Sequence, residues 1–261
     1  MNSVLLVILA LAFSPAYGQE IVTLPTRAGA SQSFLLVAPT NAPPQAVAVL
    51  FPGGNGSIQL HMEGNEVRYA SSNFLVRTRT IFAARAVAAA VMDAPSDQPT
   101  GMSDGFRTGD AHISDIRAVV AELGKRFPGS PVFLVGTSRG TLSAAYAGRA
   151  LGKDVAGTIL TAAVYTGGRR AGPVLGGFNF AAIASPLLFV HHREDACRTT
   201  PYSEARRAAD KYPLISVTGG KPAESDPCEA LSAHGFLGKE EETVDAMVSW
   251  MLKKPYRTEI N

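Results

Sequence analysis

The sequence predicts an α/β fold with a mostly parallel central sheet, because short apolar runs alternate with segments of helical periodicity. Several of these runs are apolar without interruption, which is typical of strands that are covered by helices on both faces of a sheet. The chain has 261 residues, of which 46% are hydrophobic and 18% are charged. This is an ordinary globular composition, and the chain is long enough to bury one large core.

Eight strands and five helices are predicted, and they alternate along most of the chain. The strands are expected at residues 21–24, 34–37, 46–51, 86–92, 131–135, 155–161, 186–190 and 214–218. The helices are expected at residues 73–84, 111–127, 141–151, 202–211 and 239–253. No helix separates the first two or three strands, so the sheet is expected to begin antiparallel. The polar, glycine-bearing segment 54–72 is predicted to be a small hairpin or a loop.

The first residues are typical of a secretion signal. Residues 4–13 are apolar throughout, a run too short to span a bilayer, and residues 16–18 (Ala-Tyr-Gly) offer the small side chains that a signal peptidase recognises. We therefore expect residues 1–18 to be a signal peptide, with cleavage before Gln19. Residues 19–261 would then form a single domain in the periplasm or outside the cell, without stable membrane insertion. No Lys or Arg precedes the apolar run, so an uncleaved anchor is the alternative.

Charge and histidine spacing exclude two classes of function. The formal net charge is +2, and no basic stripe with interleaved aromatic residues is present, so a nucleic-acid partner is not predicted. His191 and His192 are adjacent rather than four residues apart, and no carboxylate–histidine cluster matches a metal-ligand set. A metal-dependent hydrolase is therefore disfavoured, and no metal site is predicted.

The most informative motif is Gly136-Thr137-Ser138-Arg139-Gly140, which lies between a predicted buried strand and a predicted helix. A G-x-S-x-G turn in this context is a nucleophile elbow, in which the serine is held at the apex of a sharp strand-to-helix turn. The glycines allow the strand and the helix to approach closely, and the helix N-terminus stabilises negative charge near the serine. The motif predicts Ser138 as a catalytic nucleophile.

A serine nucleophile needs a general base and a carboxylate that orients the base. His234 follows the last long strand and is the predicted base, ahead of His61, His112, His191 and His192. Asp195 follows the strand at 186–190 and is the predicted acid, with Glu194 as the neighbouring alternative and Asp226 as a more distant one. The order Ser138, Asp195, His234 is the order that this chemistry uses on an α/β sheet.

Acyl transfer also needs an oxyanion hole of preorganised N–H groups. The N–H of Arg139, directly after the nucleophile, is one predicted donor. Gly53 or Gly54, in the glycine-rich loop that follows the strand at 46–51, is predicted to supply the other.

The two cysteines and one polar loop complete the predicted site. Export makes a disulfide between Cys197 and Cys228 plausible, and it would join the acid loop to the base loop; free buried thiols are the alternative. The loop that follows the strand at 86–92 is predicted to border the cleft. Its candidate substrate-binding residues are Asp97, Met102, Asp104 and Arg107, and a solvated loop is an equally good interpretation.

Taken together, the elbow at 136–140, the oxyanion loop at 51–54 and the order of the three catalytic candidates resemble the α/β-hydrolase superfamily. The size of the chain, without a large cap insertion, resembles the small exported esterase and dienelactone-hydrolase-like branch. The resemblance implies an eight-stranded, mostly parallel sheet with helices on both faces, and serine hydrolysis without a cofactor. The chain has Pro-Gly-Gly where many esterases of the superfamily have His-Gly-Gly.

These features predict a secreted or periplasmic serine hydrolase that cleaves small-molecule carboxylic esters through an acyl-enzyme. A serine peptidase or amidase with the same three residues is the first alternative. A ligand-binding protein that has lost turnover is the second, and reaction with a fluorophosphonate distinguishes it from an enzyme.

Overall fold

A nine-stranded, mostly parallel sheet forms the centre of the protein, with helices packed on both faces. The structure is a computed structural model, and it describes residues 17–167 and 172–261. Most of the predicted signal segment lies outside the described residues, and its last two residues, Tyr17 and Gly18, lie at the start of the first strand. Within the described part, no helix is long and apolar enough to cross a membrane.

The elements follow the predicted order closely. The strands are β1 (Tyr17–Arg27), β2 (Ala30–Pro39), β3 (Ala46–Phe51), β4 (His61–Glu63), β5 (Glu66–Arg68), β6 (Val87–Met92), β7 (Val132–Thr137), β8 (Gly157–Thr161), β9 (Leu187–His192), β10 (Leu214–Val217) and β11 (Glu259–Ile260). The helices are α1 (Phe74–Arg77), α2 (Arg79–Ala84), α3 (Asp104–Thr108), α4 (Asp110–Arg126), α5 (Gly140–Leu151), α6 (Tyr202–Ala208) and α7 (Glu240–Met251).

The order of strands in the main sheet is β1-β2-β6-β3-β7-β8-β9-β10-β11. Only the pairings of β2 with β1 and with β6 are antiparallel, so the predicted fold class and the antiparallel start of the sheet are confirmed. No large cap domain covers the sheet among the described residues. The predicted count of eight strands is corrected to nine, because β11 adds a parallel edge strand to β10. Two residues are too few to produce an apolar run in the sequence.

Each central strand contributes to two separate cores, which explains why its sequence is apolar without alternation. In β3, Ala46, Ala48 and Leu50 pack on one face, where α1, α2 and α7 lie. The residues between them pack on the other face, against α4 and α5. The sheet is therefore buried on both sides, and its functional groups have to emerge at the ends of the strands.

Two segments differ in detail from the sequence-based expectation. The helix predicted at 73–84 is divided at Thr78 into α1 and α2. The segment 54–72 contains the antiparallel β4–β5 hairpin, one of the two structures predicted for it. Both segments follow β3 and pass close to its carboxyl end, so they border the site described next.

Candidate active site

Ser138 lies in a strained turn between β7 and α5. Its φ angle is +51°, in the left-handed region that residues with a Cβ seldom adopt, and its N–H donates to the carbonyl of Thr161 at 3.1 Å. A Cβ on Gly136 would collide with the backbone of Gly140, and a Cβ on Gly140 would collide with the carbonyl of Phe51. The two glycines of the motif are therefore required by close backbone contact, and the turn has the geometry of a nucleophile elbow.

The histidine and the carboxylate predicted from the sequence lie in direct contact. The Nδ1 of His234 is 2.9 Å from the Oδ2 of Asp195, and both side chains are buried. Because a carboxylate oxygen accepts, Nδ1 carries the proton and donates it to Asp195. The Nε2 of His234 is buried and has no hydrogen-bond partner among the described residues. Its lone pair is thus available in the cleft that Ser138 also lines.

Asp195 is held in place by several donors. Its Oδ1 accepts from the N–H of Cys197 at 2.9 Å, and its Oδ2 accepts from the Thr200 hydroxyl at 2.8 Å. The Nε2 of His191 lies 3.4 Å from the same Oδ2. Burial alone would raise the pKa of Asp195, but hydrogen bonding to His191 and His234 outweighs burial and holds that pKa well below its ordinary value. The carboxylate is therefore ionised at neutral pH.

The alternative acids and bases occupy other positions. Glu194 and Asp226 are exposed, and no hydrogen bond joins either side chain to His234. The remaining histidines contact backbone or side-chain groups outside the cleft: they are His61 on the exposed β4–β5 hairpin, His112 in α4, and His191 and His192 at the end of β9.

His112 is completely buried behind the elbow, where its Nε2 lies 2.9 Å from the hydroxyl of Ser143. Burial, together with the positive charges of Arg107 and Arg27, lowers its pKa to about 3. It is therefore neutral at physiological pH and does not line the cleft.

The disulfide between Cys197 and Cys228 is present and joins the two loops that hold the acid and the base. Cys197 is buried beside Asp195, whereas Cys228 lines the cleft. Since Cys197 donates its N–H to Asp195, the crosslink anchors a group that fixes the carboxylate. The bridge therefore links the rim of the cleft to the Asp195–His234 pair.

Within the described residues, potential ligand atoms of Asp195, Cys197 and His234 lie within 4.8 Å of one another. The sulfur of Cys197 is oxidised in the disulfide, and the Nδ1 of His234 is occupied by its proton. This group is therefore the hydrogen-bonded Asp195–His234 pair next to a disulfide, and it offers no thiolate to an ion.

The predicted oxyanion residues surround the serine. Gly53 approaches Ser138 so closely that a Cβ on Gly53 would stand 2.9 Å from the serine Cβ. In the described part of the chain, no acceptor is bonded to the N–H groups of Gly53, Gly54 or Arg139. All three residues line the cleft, so their N–H groups are candidates for binding a developing negative charge.

The cleft itself has a volume of about 560 Å³ and is lined mainly by small and polar residues. Phe74 is its one large apolar lining residue among those described. The lining includes Gly53, Gly54, Asn55, Ser57, Ala70, Ser71, Ser72, Asn73, Thr137, Ser138, Arg139, Thr199, Cys228, Glu229, Ala230, His234 and Gly235.

The structure does not bring Asp97, Met102 or Arg107 to the cleft, and this expectation is corrected. Both carboxylate oxygens of Asp97 accept from Arg27, at 2.8 and 2.9 Å. The side chain of Met102 is buried, and its N–H donates to Asn55 at 2.7 Å. Arg107 is fully buried behind the oxyanion loop. The loop after β6 thus folds back against the body of the protein instead of opening toward a ligand.

Sequence reasoning missed two groups that support the site. The buried carboxylate of Asp93 accepts from the N–H groups of Ile58, Leu60 and Ala94 at 2.7 to 2.9 Å, which fixes the chain beyond the oxyanion loop. Thr200 donates to Asp195, as described above. The position of Asp93 directly after a buried strand could have indicated a role at the site. The sequence does not indicate which distant N–H groups bind its carboxylate.

Asp104, the fourth candidate of that loop, pairs with the elbow. Its Oδ1 accepts from the Nε of Arg139 at 2.6 Å. Both side chains are partly exposed, so the pair contributes little to stability, and it orients the Arg139 side chain beside the nucleophile.

The fold and the site define a protein of the serine hydrolase class. The sequence model described as "Serine aminopeptidase, S33" matches residues 96–222, just under half of the chain, and this range includes Ser138 and Asp195. The chain has the fold of the α/β-hydrolase superfamily. No curated protein sequence is a significant match to it.

Solved structures of esterases and hydrolases share the fold. A cold-adapted esterase from an Arctic intertidal metagenomic library superposes with a TM-score of 0.58 at 13% identity, over 93% of this chain and 96% of that chain. Est1E from Butyrivibrio proteoclasticus gives 0.60 at 15% identity, over 89% and 98%. XC6422 from Xanthomonas campestris, described as an α/β serine hydrolase without a lid, gives 0.54 at 14% identity, over 89% and 95%.

Proposed function

We propose that the protein hydrolyses carboxylic esters through a triad of Ser138, His234 and Asp195. The observation that carries the proposal is the buried 2.9 Å contact between Asp195 and the Nδ1 of His234, in a cleft that Ser138 also lines. The Nε2 of His234, on the far side of the ring, has no other partner among the described residues. The fold shared with esterases supports the same assignment.

The proposed reaction begins at Ser138. Ser138 transfers its hydroxyl proton to the Nε2 of His234 as its oxygen bonds to the ester carbonyl carbon, and Asp195 stabilises the imidazolium that forms. The N–H groups of Arg139 and of Gly53 or Gly54 bind the resulting oxyanion. When the C–O bond to the alcohol breaks, His234 returns the proton to the leaving oxygen. Water then releases the acyl group by the same steps, with His234 again as the base.

The proposal includes export to the periplasm or the exterior. The apolar N-terminal run and the disulfide between Cys197 and Cys228 support it, because disulfides persist in oxidising compartments. Amino-terminal sequencing of protein recovered from periplasm and medium tests it: a mature chain that starts at Gln19 is expected, and a full-length cytoplasmic chain would contradict it.

Substitution of the nucleophile tests the triad. Ser138→Ala should abolish turnover of p-nitrophenyl acetate and covalent labelling by a fluorophosphonate, with unchanged circular dichroism. Ser57→Ala is the matched control, because Ser57 lines the same cleft and its hydroxyl makes no hydrogen bond to the described residues. Undiminished turnover by Ser138→Ala would refute the assignment, and a folded wild-type protein that neither reacts nor labels would instead favour ligand binding.

A second candidate, aminopeptidase or amidase activity, is favoured by the matched serine aminopeptidase description and by Glu229, an exposed carboxylate on the cleft lining. A carboxylate there suits the ammonium group of an N-terminal residue. Comparing kcat/KM for an amino-acid p-nitroanilide with that for the corresponding ester separates the candidates. Preference for the anilide, lost in Glu229→Gln, would support the aminopeptidase.

A further inference from the structure

A buried arginine that the proposed triad does not use lies directly behind the oxyanion loop. The side chain of Arg107 is 0% exposed, and its guanidinium donates to the carbonyls of Pro52 at 3.2 Å and Gly54 at 3.3 Å. The other terminal nitrogen donates to the hydroxyl of Ser143 at 3.0 Å. Gly56 leaves the necessary space, since a Cβ there would collide with the guanidinium.

These contacts determine which way one peptide group faces. In a trans peptide the C=O and the following N–H point in opposite directions. The carbonyl of Pro52 points toward Arg107, so the N–H of Gly53 points away from it. Gly53 lies against Ser138, and its N–H has no acceptor among the described residues. The arginine therefore keeps the Gly53 N–H turned away from itself, at a glycine that lies against Ser138.

The same guanidinium connects the two halves of the oxyanion hole. Ser143 is in α5, the helix that begins directly after Arg139, which provides the other candidate donor. Arg107 thus connects helix α5, which follows the candidate donor Arg139, to the loop that contains the candidate donor Gly53. A displacement of either half changes the separation of the two N–H groups, and oxyanion stabilisation depends on that geometry.

The charge of Arg107 is not paired with a carboxylate. No Asp or Glu of the described residues lies within ion-pair distance of it, although Arg27, Arg77 and Arg139 all have such partners. Burial, with a further contribution from the charge of Arg139, lowers the pKa of Arg107 to about 9, so the group stays protonated at neutral pH. Donation to the Pro52 carbonyl polarises the peptide group and makes the Gly53 N–H a stronger donor.

We propose that Arg107 is a positioning residue for the proposed reaction, fixing and polarising the peptide group through which Gly53 stabilises the oxyanion. The inference rests on the proposed function. According to this inference, the buried Arg107 side chain helps to stabilise the transition state but does not contribute to the initial binding of substrate.

The experiment compares Arg107→Met and Arg107→Lys with wild type and with Arg27→Met. Arg27 is a matched control because it is a hydrogen-bonded and largely buried arginine, but it pairs with Asp97 and Asp115 and does not contact the oxyanion loop. For each variant, kcat and KM for p-nitrophenyl acetate and the Ki of a trifluoromethyl ketone are measured. This ketone forms a tetrahedral oxyanion on the serine. Thermal unfolding reports the folded fraction.

For Arg107→Met we expect kcat to fall on the order of tenfold to a hundredfold, less than or similar to the ~10²–10³ lost with an oxyanion donor. KM should change less than about twofold, and Ki should rise by the same factor as kcat falls. Arg107→Lys should recover part of the lost kcat. Arg27→Met should lower stability without lowering kcat or raising Ki to this extent. A folded Arg107→Met with unchanged kcat, or one with a change confined to KM, would overturn the inference.

If Arg107→Met does not fold, Ser143→Ala provides the second test, because it removes an anchor of the guanidinium and leaves the charge in place. A smaller decrease confined to kcat and Ki supports the inference, and unchanged kcat and Ki contradict it. Ser138→Ala keeps the two proposals apart. Undiminished turnover in Ser138→Ala refutes the triad, whereas turnover that is lost in Ser138→Ala but unchanged in Arg107→Met and Ser143→Ala refutes the role of Arg107 alone.

Discussion

Gly53 and Ser138 are in backbone-to-side-chain contact, with 2.9 Å between the serine Cβ and the position that a Cβ on Gly53 would take. The distance is shorter than real Cβ contacts allow, so a side chain at position 53 has to displace either the oxyanion loop or the nucleophile. Position 53 therefore has to be glycine if the loop is to lie this close to the serine.

Gly53→Ala should therefore lower kcat by about 10²-fold, comparable to the loss of an oxyanion donor. Steady-state kinetics with p-nitrophenyl acetate measures the effect. Gly124→Ala is the control, because Gly124 lies in α4 with nothing within 4 Å of its added Cβ, and alanine favours a helix by up to about 1 kcal/mol. Equal activity of the two variants would show that Gly53 tolerates a side chain and that the loop is not part of the hole.

Asp195→Asn should reduce kcat by about 10⁴-fold, because an amide no longer selects the tautomer of His234 with its proton on Nδ1. The fold should persist, since the substitution is nearly isosteric. Glu194→Gln, at the exposed neighbouring carboxylate, should leave kcat within about twofold. A large effect of Glu194→Gln with a small effect of Asp195→Asn would reverse the assignment of the acid.

Replacing both cysteines by serine should lower the free energy of unfolding by about 3–4 kcal/mol, from the loop entropy of a crosslink that spans 31 residues. The kcat should fall as well, because the N–H of residue 197 then holds Asp195 less firmly. Urea unfolding of wild type with and without reductant, beside the double variant, measures the stability change. Coincident unfolding curves in all three samples would contradict the prediction.

His112 should make the protein less stable in acid. Its pKa is lowered to about 3 in the folded state, against an ordinary value of 6.5, so between these values the unfolded chain binds a proton that the folded chain does not. Stability is therefore complete above pH 6.5 and declines as the pH falls toward 3, by up to about 1.4 kcal/mol per pH unit. His112→Gln, whose amide can still reach Ser143, should flatten this decline in urea unfolding measured from pH 7 to 4. An identical slope in both proteins would contradict this role.

Most of the sheet could be predicted because its central strands are apolar and most of them are separated by helices. All eight expected strands are present, and the central ones are the clearest because burial on both faces leaves an uninterrupted apolar run. The ninth strand, Glu259–Ile260, is defined by its partner β10 rather than by its own composition. Likewise, the sequence does not indicate the division of the predicted helix at Thr78.

The elbow and the order of the three triad candidates were accessible for a similar reason: the motif requires glycines at fixed positions, and the carboxyl ends of parallel strands share one edge. The contacts of Arg107 and Asp97 were not accessible. A polar residue in a glycine-rich loop can face a ligand or the protein, and only the three-dimensional position of Pro52 and Arg27 decides between them.

The backbone contact between Gly140 and Phe51 joins segments whose geometry has to be kept, whereas segments outside this contact can be replaced. Both candidate oxyanion donors are attached to this contact, one just before α5 and one just after β3, so the reacting geometry is inherited from the sheet. The β4–β5 hairpin lies outside it. An engineer who seeks a new substrate preference can exchange this hairpin while the arrangement of the two donors is preserved.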